Sequence, residues 1–255
     1  MRAYELIKET FCRKIYILII HLSWLSLYGG FWWLFLPMGN EFGQFIFIWG
    51  GFFLALALSA GIFGDDISSG RICVLVTKPF WPGELYIYRL LGLSLQAAVH
   101  FILAWCVIFI LQTIMHQGRS MDNLGLWLFA SWLLFNTCAA LSTSLSVVVG
   151  RAYNALLLLI VIITGFVVVG TMMAYLKQHS ETEALLVSYF RFVCPPFEML
   201  YKFAGGEYGK YSLTVGRFSL AKSVACVVHS LILTVVYSIV GIVLLSRRQF
   251  SSRRD

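Results

Sequence analysis

Charge is what this chain has least of. Of its 255 residues, 12% are Asp, Glu, Lys or Arg, against 60% hydrophobic. A water-soluble domain of this length cannot hide so much apolar surface, which points to lipid as the solvent. Phosphate-gripping loops are missing as well: there is no GxxxxGK[ST] and no GxGxxG. The glycine pairs Gly29–Gly30, Gly50–Gly51 and Gly205–Gly206 lack a following Lys-Ser or Lys-Thr. No HExxH and no CxxC occurs, and Cys12, Cys73, Cys106, Cys138, Cys194 and Cys226 are scattered. That spacing supports neither a disulfide framework nor a zinc site, and the cysteines read as small apolar fillers.

Deep acids are absent too. Polar residues within the apolar runs are weak ones: His21, Gln96, His100, Asn136 and His229. A proton relay through the histidines is one reading, and hydrogen bonding between helices is the plainer one. Asp65 and Asp66 have no further ligands nearby for a metal. They suit the start of a helix or a salt bridge. The first apolar run is long and lacks a small-residue cleavage site, so no cleavable signal is expected. No lipidation signal is evident either.

What the chain does have is six apolar runs: Ile15–Leu36, Phe42–Phe63, Leu90–Met115, Leu124–Val149, Ala155–Leu176 and Val224–Leu245. Each is free of Asp, Glu, Lys and Arg. About 20 helical residues at ~1.5 Å each cross a ~30 Å hydrocarbon layer, so each run is long enough. Gly150–Asn154 alone separates the fourth run from the fifth, which requires a tight connection. The expected fold is an all-α polytopic membrane protein with six transmembrane helices in one membrane domain.

The net charge of +7 does not indicate nucleic acid, because the bases cluster at the ends of apolar runs. With the N-terminus inside, the cytoplasmic pieces hold twelve Lys and Arg residues, and the short outer loops hold only Arg119. The long stretch after run five carries six more, but long translocated segments weigh less in this rule. Both termini are therefore expected in the cytoplasm, with Trp32, Trp33 and Trp81 near the interfaces. Residues 1–14 are amphipathic: Tyr4, Leu6, Ile7 and Phe11 suit lipid, while Glu5, Lys8, Glu9 and Arg13 suit water or a partner. Residues 246–255 form a basic tail.

Three stretches stand out. Run two carries Gly51, Ala55 and Ser59 every four residues, with Ala57 and Gly61 as a second pair. Such small residues let helices approach closely in lipid, within one subunit or across a dimer axis. The 177–222 stretch is too long for a bare loop. Pro195 and Pro196 break its apolar pattern, and Gly205 and Gly206 close it. It reads as two short helices, lying on the outer surface or re-entrant. Residues 64–89, GDDISSGRICVLVTKPFWPGELYIYR, mix acids, bases, Gly and Pro between two spans. Ile67–Thr77 is expected as a short interfacial helix, with Pro79 and Pro82 fixing the turn before run three.

The 64–89 segment resembles the cytoplasmic segment after the second span of ABC-2 type transporter permeases. The residues that carry the likeness are Asp65 or Asp66, Ser69, Gly70, Ile72, Val74, Leu75, Pro79, Glu84, Leu85 and Arg89. Arg71 stands where the family more often has Thr, and Trp81-Pro82 where it often has Ser-Arg. The resemblance extends to the order of parts: N-terminal helix, six spans, a broken extracellular element and a basic tail. It implies a non-enzymatic permease subunit of an ATP-binding cassette exporter, in a bacterial inner membrane. Two permeases, alike or merely similar, would form the path. Separate cytoplasmic ATPase subunits would bind ATP and Mg, leaving no cofactor in this chain.

Under that resemblance residues 64–89 contact and couple to the ATPase. Asp65 and Asp66 hold a turn or pair with bases, and Arg71 and Lys78 pair with acids or lipid headgroups. Ile72, Val74 and Leu75 fill an apolar groove, and Glu84 and Arg89 have separate partners. The apolar spans suit an amphipathic, lipid-like or peptide cargo. A non-transporting membrane assembly or immunity protein is the alternative.

Overall fold

In this computed structural model the described residues are 3–12, 19, 21–27, 29–30, 40–76, 81–114, 124–164, 192–204, 212–215 and 218–248. Lys78, Pro79, Gly205 and Gly206, Trp32 and Trp33, and the tail beyond residue 248 lie outside them. The helices are α1 (Ala3–Cys12), α2 (Asn40–Ser59), α3 (Gly64–Ser68), α4 (Arg71–Val76), α5 (Pro82–Ile114), α6 (Leu124–Ser146), α7 (Arg151–Ile163), α8 (Phe197–Ala204) and α9 (Lys222–Arg247). Residues 21–27 are also helical. Two short strands, β1 (Ser212–Val215) and β2 (Phe218–Ala221), pair antiparallel with Ser212 opposite Ala221 and Val215 opposite Phe218.

Among the described residues, four helical stretches are long and apolar enough to cross a membrane: Phe47–Ser68, Pro82–Leu111, Leu124–Ser146 and Lys222–Arg247. The chain is therefore a multi-pass, essentially all-helical membrane protein. Of the six expected spans, these match runs two, three, four and six. Run five is described as the 13-residue α7, and run one only in part.

Helix α6 forms the centre. Trp127, Leu134, Phe135, Cys138 and Ala139 are all buried, and its neighbours are α2, α5, α7, α8 and α9. The small-residue face of α2 meets it closely. A Cβ added to Gly51 would come within 2.6 Å of the Ser131 carbonyl oxygen. Lipid offers no hydrophobic drive between helices, so this close approach supplies the attraction. Hydroxyls bridge α6 and α9: Thr137 Oγ1 lies 3.3 Å from Thr234 Oγ1, and Ser144 Oγ donates to the Tyr237 carbonyl at 2.6 Å. The outer positions of α9, such as Val228, Ile232, Val235 and Ile239, are exposed aliphatics, as suits a lipid-facing helix.

Contacts fix the sense of each helix. Phe47 lies by Trp127 and Phe63 by Ser146, so α2 and α6 run the same way. Tyr86 meets Ala140 while Trp132 Nε1 donates to the Ser94 carbonyl, so α5 opposes α6. The Thr137–Ser230 and Ser144–Tyr237 contacts align α9 with α6. His21 beside His100, with Gly29 beside Leu111, align the helical residues 21–27 and 29–30 with α5.

Three expectations need correction. The third span starts at Pro82, eight residues before Leu90, because proline suits the first helical position and Arg89 is neutralised from within. The helix expected over 67–77 is two helices, α3 and α4. Gly70 separates them with φ of 70°, a left-handed conformation that glycine adopts without steric cost. The 177–222 stretch is not wholly helical, since it contains the β1–β2 hairpin.

Candidate functional site

One end of the bundle gathers α1, α3, α4, the start of α5 and the end of α9. At its heart is Arg89, fully buried. Its guanidinium reaches Thr10 Oγ1 at 3.0 Å, Glu9 Oε1 at 3.0 Å and Asp66 Oδ2 at 3.2 Å. Arg71, half-exposed, adds a 2.8 Å contact to the same Glu9 oxygen. Two cations and two anions from four elements thus converge. A buried guanidinium is tolerated because its planar fork offers several donors in fixed directions, and here carboxylates and a hydroxyl meet them. Desolvation offsets much of the Coulomb gain, so the network fixes geometry more than it adds stability.

Glu9 therefore turns inward instead of facing water. Leu6, expected on lipid, is fully buried, while Tyr4 and Phe11 are exposed. Close approach explains the seating of α1: a Cβ on Gly92 would lie 2.7 Å from Thr10 Cβ. Asp66 and Asp65 open α3, where the helix dipole favours acids. Asp65 Oδ2 is 3.7 Å from Arg151 Nη1 at the start of α7. Ser69 Oγ donates to the Asp65 carbonyl at 2.6 Å and closes the α3 turn. Ile72 and Leu75 are buried within this chain, not presented outward. Among the described residues of the segment, Ser68, Ser69, Gly70, Arg71, Trp81, Glu84 and Ile87 are exposed. Glu84 sits exposed in the first turn of α5.

A second clasp joins α2, α6 and α7. Asn154 Nδ2 donates to the carbonyls of Ala60 and Ser142, both at 2.8 Å. Gly61 packs against it: a Cβ there would be 2.9 Å from Arg151 Cγ. Ser59, also on this face, donates to the Ala55 carbonyl at 2.5 Å. Arg248 donates to the Val147 carbonyl, which brings the end of α9 to the same end of the bundle.

At the other end, Pro195 and Pro196 precede α8, and the Leu200 N–H bonds the Pro196 carbonyl at 2.9 Å. His229 Nε2 is 2.7 Å from the Phe192 carbonyl, and the two rings stack at 4.3 Å. Tyr237 donates to the Val193 carbonyl, and Gln44 to the Tyr201 carbonyl. The broken element is thereby tied to α2 and α9.

The family model for ABC-2 family transporter proteins matches residues 14–250. The chain belongs to the ABC-2 transporter family. No curated protein matches it. As a member of this family the chain is the membrane permease component of an ABC-type transporter and is itself non-catalytic. Among the described residues no group of three or more His, Cys, Asp or Glu side chains could hold a metal. Family membership implies pairing with an ATPase and a second permease.

Sequence reasoning singled out Asp65, Asp66, Arg71 and Arg89 but missed Glu9, Thr10 and Arg151 as their companions, and it missed the separate clasp at Asn154. Asn154 had a signal, since it is a polar residue in the tight turn between two apolar runs. Glu9 had none beyond its place on an amphipathic helix.

Proposed function

We propose that this permease exports an amphipathic, lipid-like or peptide substrate across a bacterial inner membrane. It works as one of a pair, driven by ATPase subunits that dock on the end bearing residues 64–89. The observation that carries this reading is the junction at Arg89. It ties α1, α3 and the start of α5 into one polar unit directly beneath the spans. A push on the exposed turn at Ser68–Arg71 then reaches α5 through ionic contacts as well as backbone. The supporting pattern is that Arg248 lies at this same end, as a chain with an even number of spans requires.

Both termini and residues 64–89 face the cytoplasm in this reading, and residues 177–222 face outward. The cargo class is argued from the six apolar runs, which hold no Asp, Glu, Lys or Arg to replace the hydration of an ion. The test is purification of the chain in mild detergent from its native membrane with nucleotide present. A phosphate-loop ATPase should accompany it, and cross-linking should give a permease pair. Recovery of the chain alone under both conditions overturns the proposal.

A further inference from the structure

Pro195 and Pro196 break the chain where backbone polar groups most need partners. Phe192 and Val193 are helical, and Cys194, Pro195 and Pro196 are not. The Phe192 carbonyl would find its helical donor three or four residues ahead, at Pro195 or Pro196, and proline has no N–H. The Val193 carbonyl would find its donor at Pro196 or Phe197, but the Phe197 N–H bonds the Pro195 carbonyl at 2.8 Å. Both carbonyls are thereby denied a backbone donor from the next turn. Helix α9 supplies the substitutes. His229 Nε2 is 2.7 Å from the Phe192 carbonyl, and the Tyr237 hydroxyl donates to the Val193 carbonyl. A carbonyl only accepts, so His229 carries a proton on Nε2.

These bonds lie inside the layer that α9 is long enough to span. His229 and Tyr237 stand about 10 Å and about 22 Å along α9 from Lys222, at ~1.5 Å per residue. Hydrocarbon offers no water to an unpaired carbonyl, so broken backbone at that depth is satisfied by protein or by a water-filled cavity. Burial does little to seat this helix end. Phe192 stacks on His229 yet stays 59% exposed, and Val193 is 60% exposed. Helix α8, beyond the break, has its own seat: Phe197 and Leu200 are buried, and Gln44 of α2 donates to the Tyr201 carbonyl. Helix α9 is held independently as well, since Ser144 Oγ donates to the Tyr237 carbonyl at 2.6 Å.

We infer that His229 and Tyr237 are positioning residues that latch the broken element to α9, with residues 192–196 forming a strap hinged at the start of α8. Withdrawing the two donors leaves the Phe192 and Val193 carbonyls unpaired. The strap then parts from α9 only where water follows and takes over those bonds. Latched, it keeps Cys194, Pro195 and Pro196 buried and dry; released, it admits water to them. This goes beyond the proposed export reading, because it concerns this chain alone and holds whatever the cargo or the ATPase.

The test follows the native thiol of Cys194 in the full chain in lipid nanodiscs. A charged, water-soluble maleimide is added, and its reaction is timed site by site by mass spectrometry of peptides. Tyr237→Phe and His229→Phe each keep an aromatic ring and remove the donor. Each should speed Cys194 labelling roughly two- to tenfold over the wild-type chain, as loss of one hydrogen bond predicts. The double variant should show roughly the product of the two factors, because both bonds hold one strap. His229→Gln, whose amide nitrogen stands in for Nε2, should label near the wild-type rate. Cys226, buried on α9, reports general loosening and should keep its wild-type rate throughout. Unchanged Cys194 labelling in both phenylalanine variants overturns the latch. So does a rise that Cys226 shares in equal measure, which a merely weakened fold would give.

Discussion

Arg89 Nη2 lies 3.2 Å from Asp66 Oδ2, and neither side chain has any solvent exposure. Asp66→Ala strips one of two carboxylates from the buried guanidinium, and Arg89→Ala strips the guanidinium from a buried carboxylate; breaking a buried ion pair costs about 3–5 kcal/mol. Asp66→Ala and Arg89→Ala should each lower the thermal unfolding midpoint of the detergent-purified chain sharply. Arg71→Ala should do far less, because Arg71 is half-exposed and surface ion pairs contribute only ~0–1 kcal/mol. Equal effects of Arg71→Ala and Arg89→Ala would refute the hub assignment.

Ile72 and Leu75 bear on how partner contact should be tested. Both are inside the chain. An Asp at either site buries a carboxylate without a partner, so Ile72→Asp and Leu75→Asp should lose folded yield before any coupling effect can be read. The exposed residues Ser68 and Glu84 are the informative ones. Ser68→Trp and Glu84→Lys should keep wild-type unfolding temperature while weakening ATPase co-purification. Normal ATPase capture by both variants would move the docking surface elsewhere.

The sequence shows spans well because hydrophobicity is a local property. The runs at 124–149 and 224–245 appear as α6 and α9 with nearly the same limits. The start of α5 was hidden for a nonlocal reason. Glu84 and Arg89 look like a loop until Glu9 and Asp66 are brought beside Arg89, and no spacing in the chain records that meeting. The β1–β2 hairpin was missed, although Gly216-Arg217 between two alternating stretches is a two-residue turn signal. The inward turn of Leu6 and Glu9 could not be read, because an amphipathic pattern gives a face and not what covers it.

Gly51 separates packing from propensity. Its missing side chain lets α2 touch the backbone of Ser131, and a Cβ would sit 2.6 Å from that carbonyl oxygen. Backbone cannot swing aside as a side chain can, so Gly51→Ala should force the helices apart at a cost of about 1–3 kcal/mol. Gly125, also helical, has open space around it. Gly125→Ala should be neutral or stabilising by up to ~1 kcal/mol through helix propensity. Unfolding of the two variants in the same detergent decides the matter, and equal midpoints would contradict the close α2–α6 contact.

Gly70 tests the turn between α3 and α4 by backbone alone. It holds φ at 70°, and a Cβ there would meet nothing within 4 Å. Steric contact with neighbours therefore plays no part, and any cost comes from the left-handed conformation itself. For an ordinary L-residue that cost is roughly 1–2 kcal/mol, while Asn enters the region more readily. The expected order of stability is wild type, then Gly70→Asn, then Gly70→Ala, with Gly70→Val lowest because branching at Cβ makes positive φ worse. Hydrogen exchange should locate the effect. Amides of α3 and α4, such as that of Ser69, bonded to the Asp65 carbonyl at 3.1 Å, should exchange faster in Gly70→Val. Protection in the central α6 should stay unchanged. If all three variants unfold at the wild-type temperature with wild-type exchange at Ser69, the left-handed turn is not what separates the two helices.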